Sequence, residues 1–187
     1  GGESFVEGDG LETVGRAAAP VLARLPFPQP SRARLPVLGD YAKLDRDGVR
    51  GLAGAVEASR GCLYRCRHCP IPSVYGGRFF AVPEEIVLAD IAALVAAGAT
   101  HVTFADPDFF NGPSHARRLV EALHARFPLL TYDVTVKVEH VLKNRALLPL
   151  LAATGCVFVV SAVESLSERV LEILDKGHTR ADVDEAL

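Results

Sequence analysis

Cys62, Cys66 and Cys69 fall within eight residues, in the run Cys62-Leu-Tyr-Arg-Cys66-Arg-His-Cys69. Three residues separate the first pair and two the second. A tight loop with that spacing lets three thiolates converge on one small object, and thiolates select iron–sulfur clusters or zinc. The other cysteine, Cys156, begins a later apolar run. Eight residues of strand at about 3.3 Å each would set it roughly 26 Å from the loop, at the opposite end of a parallel sheet. Cys156 is therefore read as a buried, inert core residue. Three protein thiolates then leave one metal position open, as catalytic metal sites do and structural ones do not. The alternative is a zinc-stabilised, non-catalytic binding module using the three cysteines and His68. A histidine one residue before the last cysteine is poorly placed to bind the same ion.

The elements around the loop alternate. A short strand over residues 55–59 leads into it. Pro83 then opens a helix with Glu84 and Glu85 in its first turn, and Gly98 closes it. A second strand covers 101–104. Ser114 is expected to cap the next helix, which Pro128 stops. Residues 130–137 form a third strand, 142–154 a helical stretch broken near Pro149, and 156–163 a fourth strand. Ser165 and Glu168 are expected to form a capping box, and Thr179 with Asp182 to begin another helix. Four strand–helix units with short connections mean right-handed crossovers and a parallel sheet. The expected fold is α/β, a partial parallel (β/α) barrel of about four units. An exposed apolar edge on the fourth strand implies that later strands are missing.

Such barrels place function at the C-terminal ends of their strands. Polar groups stand there in this chain: Asp106, Asp108 and Asn111 after strand two, Lys137 and Glu139 after strand three, Ser161 and Glu164 late in strand four. Each is a candidate for the mouth that the cysteine loop shares, or a cap on a loop or helix N-terminus. Tyr64 is read as packing within its loop, and the remaining histidines show no ligand spacing. Arg60, Arg65, Arg67, His68 and Arg78 crowd the cysteines, as a solvated loop or as a positive surround for an anionic cofactor.

The whole chain is less specific. It has 187 residues, 49% hydrophobic, with 20 basic and 23 acidic side chains. That balance excludes wholesale disorder and gives no electrostatic case for nucleic acid or an anionic membrane. The apolar run 147–163 contains Pro149, Gly155 and Ser161 and reads as helix then strand, not as a membrane span. Clustered cysteines without a secretory leader indicate metal binding in a reducing compartment, so the cytoplasm is expected. The chain starts Gly1-Gly2 and lacks methionine, so a fragment or a processed piece is expected. Residues 20–54 read as a proline-rich linker.

The cysteine motif at the end of the first barrel strand resembles that of the radical S-adenosylmethionine (SAM) superfamily, CxxxCx(aromatic)C. His68 stands in the aromatic position, where an imidazole also offers a flat face. The resemblance implies a [4Fe–4S] cluster on Cys62, Cys66 and Cys69, with the unique iron chelated by SAM. Reductive cleavage would give a 5′-deoxyadenosyl radical that abstracts hydrogen. It also implies that strand two, here Asp106 to Asp108, holds the SAM amino group. Lys137 would pair with its carboxylate, Ser161 or Glu164 would meet the ribose, and a flavodoxin or ferredoxin would supply the electron. Gly1-Gly2-Glu3, the proline-rich stretch, Glu164-Ser165 and Lys176-Gly-His-Thr179 are similar to the group carrying an upstream cobalamin-binding-type domain. Residues 1–19 would then be the tail of that domain, with cobalamin in the full-length protein, and 55–187 a C-terminally truncated core. The runs 69–79 and 106–113 also resemble the CUAEP/CCAEP-tail radical SAM proteins.

Overall fold

Asp47 and Gly48 both take positive φ, 52° and 77°, as a two-residue hairpin turn that follows strand twist requires. The turn folds β1 (Lys43–Arg46) antiparallel onto β2 (Val49–Val56), pairing Arg46 with Val49. The computed structural model describes residues 27–41 and 43–187. The expectations for residues 1–26 lie outside the described residues. The first barrel strand thus begins at Val49, inside the stretch expected to be linker, and it stops at Val56. Residues 59–61 form a separate strand, β3 (Ser59–Gly61), paired antiparallel with β4 (Phe79–Ala81).

Beyond that hairpin the alternation holds. β2, β5 (Ala99–Phe104), β6 (Thr131–Thr135) and β7 (Cys156–Val160) lie side by side in sequence order, each pair parallel. Together they form a partial (β/α) barrel. Between them run α2 (Glu84–Ala96) and α3 (Pro113–Arg126), then α4 (Val138–Lys143) and α5 (Leu148–Ala153) separated by a 3-10 turn before Pro149. Val102, Phe104, Tyr132 and Val134 are fully buried, as are Leu119, Val120 and Leu123 of α3. Each such side chain contributes about 1.5–3 kcal/mol on removal from water. The Tyr132 hydroxyl is satisfied within this core by Thr154 at 2.7 Å.

On β5 and β6, polar residues at alternate positions form one network. His101 Nε2 lies 2.8 Å from Asp133, His101 Nδ1 lies 2.9 Å from the Thr131 hydroxyl, and Thr103 donates to Asp133 at 2.6 Å. β7 is an outer strand of the sheet, and its Phe158, Val159 and Val160 are exposed at 44%, 37% and 46%. Two helix starts differ from the sequence reading. α3 begins at Pro113 with Gly112 as its N-cap, so Ser114 lies inside it, because proline at the first position needs no N–H partner. α6 (Glu168–Leu174) has Ser167 as N-cap, while Ser165 accepts the Ser167 N–H and Glu168 accepts from Arg180 N. The capping box of Thr179 and Asp182 opens α7 (Arg180–Ala186). Among the described residues no helix is long and apolar enough to cross a membrane.

Candidate functional site

Gly61 ends β3 at φ 80°, and the cysteine loop starts at the next residue. Because β3 pairs with β4, the loop from 62 to 78 is closed at its base by a two-stranded staple. Inside it, Cys69 N–H bonds to Cys66 C=O at 3.1 Å and α1 (Ile71–Tyr75) carries the chain back. Two further contacts tie the loop to the barrel. Leu63 N–H donates to Asn111 Oδ1 at 3.2 Å, and Arg67 N–H donates to Leu174 C=O at 2.9 Å.

Cys62 and Cys66 are buried and Cys69 is half-buried. All three border one cavity of about 150 Å³, whose other walls include Tyr64, His68, Pro107, Lys137, Glu164 and Lys176. Larger clefts of about 270 and 790 Å³ lie along the proline-rich segment and contain no cysteine. The smaller cavity is the site because it holds the reactive groups. Cys156 does not reach it. Cys156 pairs with Tyr132 at the start of β6, whereas the cavity is walled by Thr135, Val136 and Lys137 at the end of that strand. Its Sγ contacts Phe158 C=O at 3.3 Å, and it is half-buried where full burial was expected.

Of the residues expected at this mouth, the structure brings His68, Lys137 and Glu164 to the cavity with the three cysteines. Glu164 Oε1 lies 3.2 Å from His68 Nε2 and 3.4 Å from Lys176 Nζ. Its φ of 68° puts a non-glycine residue in the left-handed region, a strain that concentrates at functional sites. Asp106, Asp108 and Ser161 are not among the cavity's walls. Asp106 accepts the Ala58 N–H at 2.9 Å and the Ser59 hydroxyl, tying the end of β5 to the start of β3. Asp108 is fully buried, accepting Phe110 N–H at 3.0 Å and facing His140 at 2.7 Å. Ser161 donates to Val136 C=O at 2.7 Å, extending the β6–β7 contact. Two of the arginines are turned to other work as well. Arg60 pairs with Glu57 and stacks over Phe27, and Arg65 donates to Gly76 C=O. The cavity's lysines, Lys137 and Lys176, are its cations.

Sequence reasoning read Tyr64 as packing within its loop and gave His140 and Lys176 no role of their own at the mouth. Tyr64 lines the cavity, with its hydroxyl 2.9 Å from His140 Nε2 and Lys137 Nζ lying 3.2 Å from its ring centroid. Lys176 is buried at 4% exposure. Its only signal was its place in the Lys176-Gly-His-Thr179 run. Nothing local distinguishes His140 from a surface histidine, because its partners come from two other strand ends.

Burial governs the electrostatics. It pushes the Cys62 thiol above its ordinary range, against the lowering effect of its hydrogen bonds, so binding of a metal there must release a proton. Burial also raises the Tyr64 hydroxyl, with Glu139 adding to the effect, so Tyr64 is neutral. Burial raises Asp106 to about 6, more than its bonds to Ser59 and Ala58 lower it. Between pH 4 and 6 the folded chain therefore keeps a proton that the unfolded chain loses, and stability falls as pH rises through that window. The cost reaches about 3 kcal/mol above pH 6. Asp106→Asn keeps the Ala58 contact and can reverse the Ser59 one. Urea titrations at pH 4 to 7 should show the wild type losing stability across the window and the variant staying level. A parallel decline in both would disprove this assignment.

A [4Fe–4S] cube presents separate corners to separate thiolates, so its ligands must surround a volume, not a point. Two buried thiols and a third half-buried around one cavity meet that need. Asn111 adds to the fit. Its Oδ1 accepts from Leu63 N–H and lies 3.8 Å from Cys62 Sγ, and its buried Nδ2 has no hydrogen-bond partner. A spare donor beside a cysteine suits an acceptor-rich, anionic group. A lone zinc ion instead needs donors converging at about 2.0–2.3 Å. Among the described residues no three histidine, cysteine, aspartate or glutamate side chains, the three cysteines included, are grouped to hold one ion.

Comparison with known proteins bears on the fold and the family. The tRNA-2-methylthio-N(6)-dimethylallyladenosine synthase of Chlorobaculum tepidum is 27% identical over 150 residues, covering 76% of this chain and 33% of that protein. Among solved structures, the radical S-adenosylmethionine methyltransferase TsrM of Kitasatospora setae, with tryptophan and a SAM analogue bound, superposes with a TM-score of 0.58 at 24% identity. That match covers 73% of this chain and 27% of TsrM. The cobalamin-dependent S-adenosylmethionine radical enzyme OxsB, with aqua-cobalamin and S-adenosylmethionine bound, gives 0.61 at 21% identity, covering 71% and 21%. The chain thus spans about a third or less of each of these proteins, and the two structures share its fold. With the Radical SAM superfamily pattern matched across residues 56–187, from the end of β2 through α7, this chain belongs to the radical SAM superfamily.

Proposed function

We propose that this chain is the cluster- and SAM-binding part of a radical SAM enzyme. The observation that carries the reading is the single cavity at the C-terminal mouth of the barrel, bordered by Cys62, Cys66 and Cys69 and by two lysines and a glutamate. The three cysteines would hold a [4Fe–4S] cluster and leave one iron for SAM. When bound, that pair supplies reductive cleavage of the sulfonium and a 5′-deoxyadenosyl radical. The chain's own residues bind and orient. Lys137 and Lys176 offer cations to the SAM carboxylate, Glu164 offers an acceptor to the ribose, and Tyr64 and Pro107 exclude water from the cavity wall. The amino group would be met by backbone near Pro107, since the carboxylates of Asp106 and Asp108 are engaged elsewhere.

The reductant would be a small electron carrier such as flavodoxin or ferredoxin, and the setting a reducing cytoplasm. By analogy with TsrM and OxsB, the full-length protein would also use cobalamin, with residues 1–19 closing an upstream domain. The test is anaerobic reconstitution with iron and sulfide, then EPR of the reduced protein with and without SAM. We expect about four iron and four sulfide per chain and a signal that changes when SAM is added. A colourless protein holding one zinc ion would end the proposal. Formation of 5′-deoxyadenosine by the full-length protein would extend it to catalysis.

A further inference from the structure

Three strand ends meet in one line of polar contacts beside the cavity. Asp108 follows β5, His140 lies in α4 after β6, and Tyr64 lies in the cysteine loop. Asp108 Oδ1 accepts the Phe110 N–H at 3.0 Å, which leaves Oδ2 facing His140 Nδ1 at 2.7 Å. The imidazole thus stands against the buried carboxylate, although Oδ2 and Nδ1 make no hydrogen bond. On its other side, His140 Nε2 lies within hydrogen-bond distance of the Tyr64 hydroxyl, 2.9 Å away. The Tyr64 ring stands edge-on to the imidazole, centroids 4.9 Å apart at 74°. Asp108 is 0% exposed and His140 8%, so water does not compete for these contacts. Lys137 Nζ lies over the Tyr64 ring, 3.2 Å from its centroid and 3.6 Å from Glu139 Oε2. That ammonium is buried and makes no hydrogen bond.

We infer that Asp108–His140–Tyr64 is a positioning relay: it fixes the Tyr64 ring as the platform on which the Lys137 ammonium is held at the cavity wall, ready for a ligand's carboxylate. The inference rests on the SAM reading of the cavity and deepens it, making Tyr64 a determinant of selectivity for a nucleoside thioether that bears an amino acid tail. A cation over an aromatic face is attracted by the ring quadrupole, most strongly when desolvated. Removing the ring releases the ammonium toward Glu139, and the carboxylate loses its partner.

The test compares two probes on the reconstituted protein, S-adenosylhomocysteine and 5′-methylthioadenosine. Both carry the adenosine thioether, and only the first carries the carboxylate. Dissociation constants are measured for wild type, Tyr64→Leu, Tyr64→Phe and Lys137→Met, with iron content and the EPR signal of the reduced cluster as the second readout. We expect the preference for S-adenosylhomocysteine to fall about tenfold in Tyr64→Leu and Lys137→Met. It should fall less in Tyr64→Phe, which keeps the ring and loses the relay bond. Binding of 5′-methylthioadenosine and cluster content should stay near wild type. Equal weakening of both probes, or an unmoved ratio with the cluster in place, overturns the relay alone. A wild type that takes up no cluster overturns both this inference and the function it rests on.

Discussion

Replacing Cys62, Cys66 or Cys69 singly by alanine will abolish uptake of a stable cluster, while Cys156→Ala will leave it intact. The three thiols border one cavity, and a cube bound at three corners loses a third of its protein attachment with each deletion. Mutating residues merely behind a metal ligand costs about 10–100-fold in affinity, so losing a ligand must cost more. Cys156 cannot stand in for a missing partner. It starts β7, at the end of the sheet away from the cavity, and burial raises its thiol to about 11. Iron and sulfide analysis after anaerobic reconstitution, with visible absorbance of the four variants, decides the matter. Retention of a full complement of iron by any one of the three alanine variants would remove that cysteine from the ligand set.

The sequence was readable where chemistry and periodicity are local. Cys62, Cys66 and Cys69 lie within one loop, and the helix-closing glycines and apolar strands announced β5, β6 and β7, with ends two or three residues off: β5 starts at Ala99 and β6 and β7 stop at Thr135 and Val160. The hairpin of β1 and β2 was also written in the chain. Asp47-Gly48 is a strong two-residue turn signal, overshadowed by the prolines before it and by the glycines of β2. The strand-end carboxylates were a different case. Asp106 and Asp108 lie after β5 as expected, but their orientation depends on Ser59, Ala58 and His140, from other parts of the chain. A count of residues along a strand cannot supply those partners. The same holds for Lys176, which reaches the cavity only because Leu174 C=O binds Arg67 N–H and docks the end of α6 on the cysteine loop.

That dependence on distant partners makes the base of the loop its most sensitive point. Gly61→Ala is expected to destabilise the protein by about 2–5 kcal/mol, summing a left-handed backbone cost and an overpacking cost. Gly61 has φ 80°, and an added Cβ would lie 2.2 Å from Arg78 C=O and 3.1 Å from Tyr75 Cγ. The first of these is backbone, one residue before the partner strand and next to the Gly61–Phe79 pair, so no side-chain rotation relieves it. Relief requires β3 and β4 to part, which opens the loop that begins at Cys62. Two other glycines separate the contributions. Gly39 has no atom within 4 Å of a built Cβ and no positive φ, so Gly39→Ala should be close to neutral. Gly76 has φ 61° with open space around it, so Gly76→Ala should show the backbone cost alone, about 1–2 kcal/mol. For a chain of this size each kcal/mol lowers Tm by about 2–4 °C. Thermal melts should therefore rank the variants Gly39, Gly76, Gly61, and cluster yield should fall sharply only in the last. If Gly61→Ala melts with Gly76→Ala and still fills with iron, the β3–β4 staple does not shape the cysteine loop, and its three thiols are held by the Asn111 and Leu174 contacts instead.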